Sequence, residues 1–409
     1  MPAENVVSKK HKKKLLLERL LGAAAVVTIL AAWLVGASWA GAGVEPVLGQ
    51  AYPGMTRFEK LSSGNFAAYA SSSAQEPAGY VAVGEANGYG GPLKAAVGVD
   101  LSGRVVGVAV VEDKETPSYF ERVMQGDFVS RLIGKSYQDG FQLGEDVDGV
   151  SGATYTSRAI AEAVLKGSRE VAQGELNLPA PVEAPIQVQF GLPEVTLIAL
   201  FAVGYIGHRQ NFKYKKHARW GSMLVGLLVL GFLYNSPLTL AYINKLLLGY
   251  WPPWQTGLYW YILIAGILFV FTVDNKNPYC EWFCPFGAAQ ECLGAVGGAK
   301  ARAVGRAREP LIWLQRGLAW LAIVLALLFR SPGISSYEVF GTLFSLVGTT
   351  SQFILLGAVV LASLFIRRPW CGFLCPLRPV TDFIRLVRNW VFEVWTKIFH
   401  TAKTGVSAK

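Results

Sequence analysis

Pro278-Tyr279-Cys280-Glu281-Trp282-Phe283-Cys284-Pro285-Phe286 returns 91 positions later as Pro369-Trp370-Cys371-Gly372-Phe373-Leu374-Cys375-Pro376-Leu377. Upstream of the copies, Leu233-Tyr234-Asn235-Ser236-Pro237 with Tyr242 resembles Leu328-Phe329-Arg330-Ser331-Pro332 with Tyr337, 95 positions on. Apolar runs frame both copies, so each unit reads as a helical hairpin: up, a Ser-Pro turn, down, then a Cys pair. The units cross in the same sense, which makes a parallel internal repeat of two helical hairpins about an axis along a membrane normal. The pattern predicts a polytopic α-helical membrane protein.

Composition agrees. Hydrophobic residues are 52% of the 409 and charged residues 16%, against about 25% charged in an ordinary soluble domain. A disordered, collagenous or wholly soluble chain is excluded. Apolar runs near 20–42, 192–207, 220–237, 256–273, 311–329 and 351–366 predict six spans. The first, 20–42, follows a basic stretch (1–19) and is longer than a signal-peptide core, so it reads as an uncleaved anchor, with Ala40-Gly41-Ala42 as the cleavage alternative.

Charge orients the spans. Lys and Arg outnumber acids 24 to 8 over 1–19, 208–219, 274–309 and 367–409, whereas 41–192 holds 11 basic residues and 18 acids. The positive-inside rule puts both termini and both Cys pairs in the cytoplasm and 43–191 outside, in an inner (cytoplasmic) membrane. An acidic exported domain also argues against nucleic acid as a partner. The five-span domain occupies 192–378. In the tail, 379–409, Asp382–His400 interleaves Trp390, Val394, Trp395 and Ile398 with Arg385, Arg388 and Lys397. It reads as a helix in the inner interface or packed on the bundle.

Each C-x3-C-P offers two thiolates, and a pseudo-twofold axis brings Cys280, Cys284, Cys371 and Cys375 together. Four Cys hold an iron–sulfur cluster in the usual case; zinc accepts the same sulfurs, and four buried structural thiols are the bland alternative. The Pro after Cys284 and Cys375 predicts helix N-termini there, which stabilise thiolates. Cys292 has no counterpart in the repeat.

In the outer segment, Tyr80–Gly84 and Val105–Val111 read as strands and Arg158–Gln173 as an amphipathic helix. Just before that helix stands Asp148-Gly149-Val150-Ser151-Gly152-Ala153-Thr154-Tyr155-Thr156. Small residues and hydroxyls at a helix N-terminus suit a phosphate or merely an N-cap. The stretch resembles the covalent-flavinylation motif D-x-x-[ST]-G-A-T of FMN-binding domains. That resemblance implies an extracytoplasmic α+β FMN-binding domain with FMN joined by a phosphoester to Thr154 by a flavin transferase. Asp148, Ser151, Gly152 and Ala153 match the motif body, and Thr156 is the reserve attachment site. Gly88-Tyr89-Gly90-Gly91-Pro92 and Glu115-Thr116-Pro117 also resemble stretches of this domain, which adds Gly90, Glu115 and Thr116 to the site.

The whole order of anchor, FMN domain, five spans and two C-x3-C-P motifs resembles the NosR/NirI family of membrane flavoproteins. Longer members continue into a ferredoxin-like domain, and the absence of its C-x2-C-x2-C-x3-C-P run here points to the short PceC-like branch of organohalide respiration. The resemblance implies an electron-transfer flavoprotein of anaerobic respiration. Electrons would pass from membrane quinol, or another inner-side donor, through one iron–sulfur centre and covalent FMN to an extracytoplasmic reductase, such as a reductive dehalogenase. A quinone is then a further cofactor. The alternative is a membrane redox sensor. One difficulty stands in this reading: a hydrocarbon core of about 30 Å separates inner Cys pairs from an outer flavin. Either the motifs lie deeper, or the FMN domain folds down, or another carrier intervenes.

Overall fold

A computed structural model describes residues 2–38, 43–181, 187–207, 212–300 and 308–405, with side chains described between 16 and 396. The Ala40-Gly41-Ala42 cleavage site lies outside these residues, as do the side chains of Lys397 and Ile398.

After helix α1 (Pro2–Ser38) and the short α2 (Leu48–Ala51), five strands form an antiparallel meander in the order β1 (Arg57–Lys60), β2 (Phe66–Tyr69), β3 (Gly79–Asn87), β4 (Pro92–Asp100), β5 (Val105–Glu112). The β3–β4 hairpin pairs without interruption from Gly79↔Asp100 to Asn87↔Pro92. Its alternation puts Ala82, Val97 and Val99 on one face, where α4 (Thr154–Gly174) lays Ala159, Ile160, Ala163, Val164 and Val171. Alanines along α4 let it ride close to the sheet. The other face is covered by Leu48, Ala51 and Tyr52 against Ala68, Val81, Ala96 and Ala109. Between sheet and α4 in chain order comes α3 (Pro117–Met124). The strands expected at Tyr80–Gly84 and Val105–Val111 lie inside β3 and β5. The alanine-rich sequences of β2 and β4 carried no alternation strong enough to announce them.

The helical part runs α5 (Leu192–Gly207), α6 (Lys215–Val225), a π-helical continuation (Gly226–Leu233), α7 (Leu240–Leu247) and α8 (Leu258–Asp274). A second π segment, Tyr279–Phe283, leads into α9 (Pro285–Gly297) and α10 (Arg308–Leu328). The short α11 (Phe340–Phe344), α12 (Thr350–Phe365), the short α13 (Pro369–Phe373) and α14 (Leu377–Gly405) complete it. Among the described residues, Leu16–Ser38 and Arg308–Leu328 are long and apolar enough to cross a membrane. Leu192–Gly207, Leu258–Asp274 and Thr350–Phe365 are apolar but shorter, and the run expected at 220–237 is divided between α6 and its π continuation. The tail helix packs on α1, where Arg19 meets Glu393 at 2.6 Å, and it leaves Trp390, Val391, Phe392 and Trp395 exposed.

Tyr242, Trp260, Tyr279, Trp282, Phe283, Phe286, Phe340 and Trp370 form one buried aromatic core that also contains Cys284 and Cys375. Tyr89 of the sheet domain packs against the same core.

Candidate functional site

A cavity with about 720 Å³ of empty space, its open mouth included, lies where the sheet domain meets the helical part. From the sheet domain come Glu115, Thr116, Gly152, Ala153, Thr154 and Thr156; across it stand Asn235, Thr239, Glu338 and Phe340. The residues expected from the sequence thus converge in large part. Gly90 sits one bond behind the wall, its N–H donating to Glu115 Oε1 at 2.9 Å. Asp148 and Ser151 are exposed on the preceding turn and are not part of the lining.

The two threonines are placed differently. Thr154 opens α4 and is exposed, after Gly152 turns the chain at φ +80°. Glycine adopts that conformation without the Cβ penalty. Thr156 is 1% exposed, and its hydroxyl donates to Glu115 Oε2 at 2.5 Å. Burial pushes the Glu115 carboxyl up, opposed by those two bonds and by the Lys245 charge.

Lys245 is buried beneath the sheet domain, where its Nζ donates to Gly88 O at 2.5 Å. Burial pulls its ammonium down to about 8. Tyr89 Oη and Thr239 Oγ1 share a 2.9 Å bond across the same junction. Gly333 has no room for a Cβ, which would strike the carbonyl oxygen of Glu115, so the connector after α10 lies flush against the motif. Glu338 is also buried there: Oε1 accepts from Leu240 N at 2.6 Å, while Oε2 has no partner. Lys245 and Glu338 are the lone charged residues of 238–255 and of 331–350. Arg330 is the other charge of the second connector, and an acid standing alone beyond it, at 338, was the signal that sequence reasoning passed over.

The Cys pairs lie directly under this cavity. Phe340, in its wall, packs on Phe286 with ring centroids 4.8 Å apart and on Trp370 at 6.2 Å. Phe286 follows Cys284 by two residues, and Trp370 precedes Cys371. Aromatic rings thus join the cavity wall to both Cys motifs. After α8 the chain folds back into the bundle, far enough for Tyr279 Oη to accept from Leu238 N at 2.8 Å.

The two motifs share a backbone bond. Cys284 N donates to Tyr279 O at 2.7 Å and Cys375 N to Trp370 O at 2.9 Å. Asn235 and Arg330, equivalent in the upstream repeat, both take left-handed φ, 44° and 49°. Gln290 ties one motif to the other: its Nε2 donates to Cys371 Sγ at 3.4 Å and its Oε1 accepts from Trp370 N at 2.9 Å. Asn277 Nδ2 donates to Cys280 Sγ at 3.2 Å, and the N–H groups of Phe286 and Gly287 point at Cys284. The four sulfurs lie within electrostatic reach of one another. Among the described residues no three His, Cys, Asp or Glu side chains close on a single ion, whereas a cubane spreads its four thiolates over four irons.

Cations surround the thiols. Arg368 Nη1 donates to Cys280 O at 2.8 Å, and its charge reaches Cys280, Cys284 and Cys371. Glu291, 5% exposed, gathers Arg219, Arg367 and Arg368 at 2.6, 3.3 and 2.8 Å. An excess of positive charge with N–H donors on sulfur suits an anionic thiolate cluster. Cys292 joins none of these contacts.

Comparison with known families separates the two halves. Residues 88–167 match an FMN-binding domain, and residues 256–303 and 349–393 match a 4Fe-4S binding domain. The chain joins a flavin domain to an iron–sulfur domain. It is 31% identical to Protein NirI of Paracoccus denitrificans over 46% of this chain and 30% of that protein. To the G component of the ion-translocating oxidoreductase complex of Pseudomonas aeruginosa it is 37% identical, over 24% of this chain and 50% of the relative. The same component from Escherichia coli is 32% identical over 20% and 43%. The matched regions thus span from under a third to half of these relatives. The cavity residues Glu115, Thr116 and Thr154 fall within the FMN-binding match, and all four paired cysteines within the 4Fe-4S match; Lys245, Glu338 and Phe340 fall in neither.

Proposed function

We propose that this chain is a membrane electron relay. Six spans carry it in an inner membrane, with the sheet domain outside, both termini in the cytoplasm, and the helical hairpins related as a parallel repeat. Cys280, Cys284, Cys371 and Cys375 hold one 4Fe–4S centre, and Thr154 carries FMN as a phosphoester. Electrons enter from quinol or another inner-side donor and leave to an extracytoplasmic respiratory reductase, a reductive dehalogenase being one acceptor class.

The observation that carries this reading is Phe340, one side chain shared between the cavity wall and the aromatic packing of both Cys motifs. An isoalloxazine supplies one- and two-electron chemistry and a 4Fe–4S centre one-electron chemistry. The residues do the rest. Thr154 offers an exposed hydroxyl at the N-terminus of a 21-residue helix, where N–H groups and dipole favour a phosphate. Glu115 holds Thr156 and the Gly90 loop in place. Phe286, Phe340 and Trp370 keep water out of the space between the sites. Asn277 and Gln290 donate to sulfur and Arg368 offsets thiolate charge.

The test is anaerobic purification from a host that supplies a flavin transferase. The expected protein has a flavin-fluorescent band on a denaturing gel and a 4Fe–4S signal in EPR after reduction, with flavin bleached by a quinol analogue. Bleaching that persists when any of the four cysteines is replaced by Ala would show that electrons bypass the thiol site.

A further inference from the structure

Glu338 is the one acid in its connector, it has no equivalent in the repeat (Ile243 stands 95 positions earlier), and it belongs to neither matched family segment. Glu338 is 4% exposed and lines the flavin cavity; Leu240 N holds one carboxyl oxygen, and the second, itself buried, is without a partner. A buried polar atom left unpaired costs about 1–3 kcal/mol, so its persistence needs a reason. The other buried acid of the cavity, Glu115, has both oxygens bonded.

We propose that Glu338 exchanges a proton with the flavin held in this cavity, giving one as electrons arrive and regaining it through the cavity mouth. The inference rests on the reading of FMN at Thr154. Two electrons, delivered singly by the iron–sulfur centre, and one proton from the Glu338 carboxyl make the reduced anionic isoalloxazine with a new N5–H bond. The Glu338 O–H bond is broken in that step, and a proton from the aqueous mouth restores it. When both electrons pass to the acceptor, Glu338 releases its proton to the mouth and takes the N5 proton in its place, so that one proton leaves for every two electrons.

The surroundings fit a carboxyl that changes hands with protons near neutrality. Burial pushes Glu338 up to about 8, with the Leu240 N–H alone opposing. Tyr89, from the sheet domain, and Tyr337, on its own connector, feel its charge. Tyr119 and Tyr155 complete the phenols of the cavity wall. Glu115 and Lys245 act on each other and contribute nothing to Glu338. Beside a reduced anionic flavin, the carboxylate is disfavoured further, so reduction draws a second proton onto Glu338 once the medium is alkaline enough to have removed it.

Spectroelectrochemistry of the flavin-loaded full chain tests this. One proton per two electrons gives a midpoint slope of about 30 mV per pH unit. The wild type should follow that slope below about pH 8 and twice it above. Glu338→Gln keeps an acceptor for Leu240 N and should hold the single slope throughout; Glu338→Asp should restore the break, displaced. The reduced-minus-oxidised infrared spectrum of the wild type at about pH 9 should gain a carboxylic-acid C=O band, a readout that needs no variant to fold. A break that survives in Glu338→Gln, or a wild type without the C=O band, overturns the proposal. A wild type without the flavin gel band overturns the FMN reading itself, and a flavin band with an unbroken profile overturns this inference alone.

Discussion

Thr156 donates its hydroxyl proton to Glu115 at 2.5 Å, and Glu115 in turn accepts from the Gly90 N–H. One carboxylate therefore fastens the start of α4 to the β3–β4 turn region, and the hydroxyl two residues earlier is left exposed for chemistry. The division of labour between two threonines in one short motif follows from helix geometry. Positions 154 and 156 point about 200° apart around the axis.

Thr154→Ala should abolish the flavin band on a denaturing gel while leaving the fold intact, because an exposed hydroxyl contributes little to stability. Thr156→Val should keep the band and lower stability by roughly 1–3 kcal/mol, the cost of leaving a buried acceptor short of its donor. Flavin retained in the first variant, or lost in the second with the fold preserved, would reverse the assignment.

Replacing Cys280, Cys284, Cys371 or Cys375 singly by Ala should remove most of the bound iron, and Cys292→Ala should leave it. Iron analysis with EPR decides. Half occupancy in both the Cys280 and Cys371 variants would indicate two separate centres.

Stability should pass through a minimum near pH 8. Glu338 is raised from 4.5 to about 8, so the native state holds its proton more tightly and loses up to roughly 5 kcal/mol as pH climbs through that window. Lys245, lowered from 10.5 to about 8, acts in the opposite sense: its burial costs most below pH 8 and relaxes as pH rises toward 10.5. Thermal unfolding followed against pH should show a shallower falling limb in Glu338→Gln, with what remains owed to Glu115, and should lose the rising limb in Lys245→Met.

A Ser72→Cys probe in a Cys-free background should react with an impermeant maleimide in intact cells, and a probe at Gly405 should react only after lysis. The reverse pattern would invert the proposed topology.

Glu291→Gln should be destabilising, by about 1–3 kcal/mol, since it takes the charge from a buried carboxylate that accepts from half-buried Arg219 and Arg368 and from exposed Arg367. Denaturant unfolding of the purified protein measures it.

Apolar runs and repeated motifs made the helical part legible, because burial in lipid or in a bundle writes itself as uninterrupted hydrophobicity. Leu192–Gly207 and Thr350–Phe365 fall within a residue or two of the runs that announced them. Gly152–Thr156 was legible as a candidate site for a similar reason: local conformation and hydroxyls sit in one short segment, which lines the cavity. The docking of the two halves was not. Lys245 meets Gly88, and Gly333 meets Glu115, across long stretches of chain, and no local pattern encodes such a meeting. The return of Tyr279–Phe283 into the bundle was likewise hidden, because a π segment flanked by prolines carries no periodicity of its own.

Glu291 and its three arginines link α6, α9 and the segment before α13 without any help from sulfur. The registration of the two Cys motifs is thus set by charge and by Gln290 as well as by packing. Three chain segments hang on one carboxylate, so a single change at position 291 would loosen both halves of the thiol site at once, and neither motif could drift without the other.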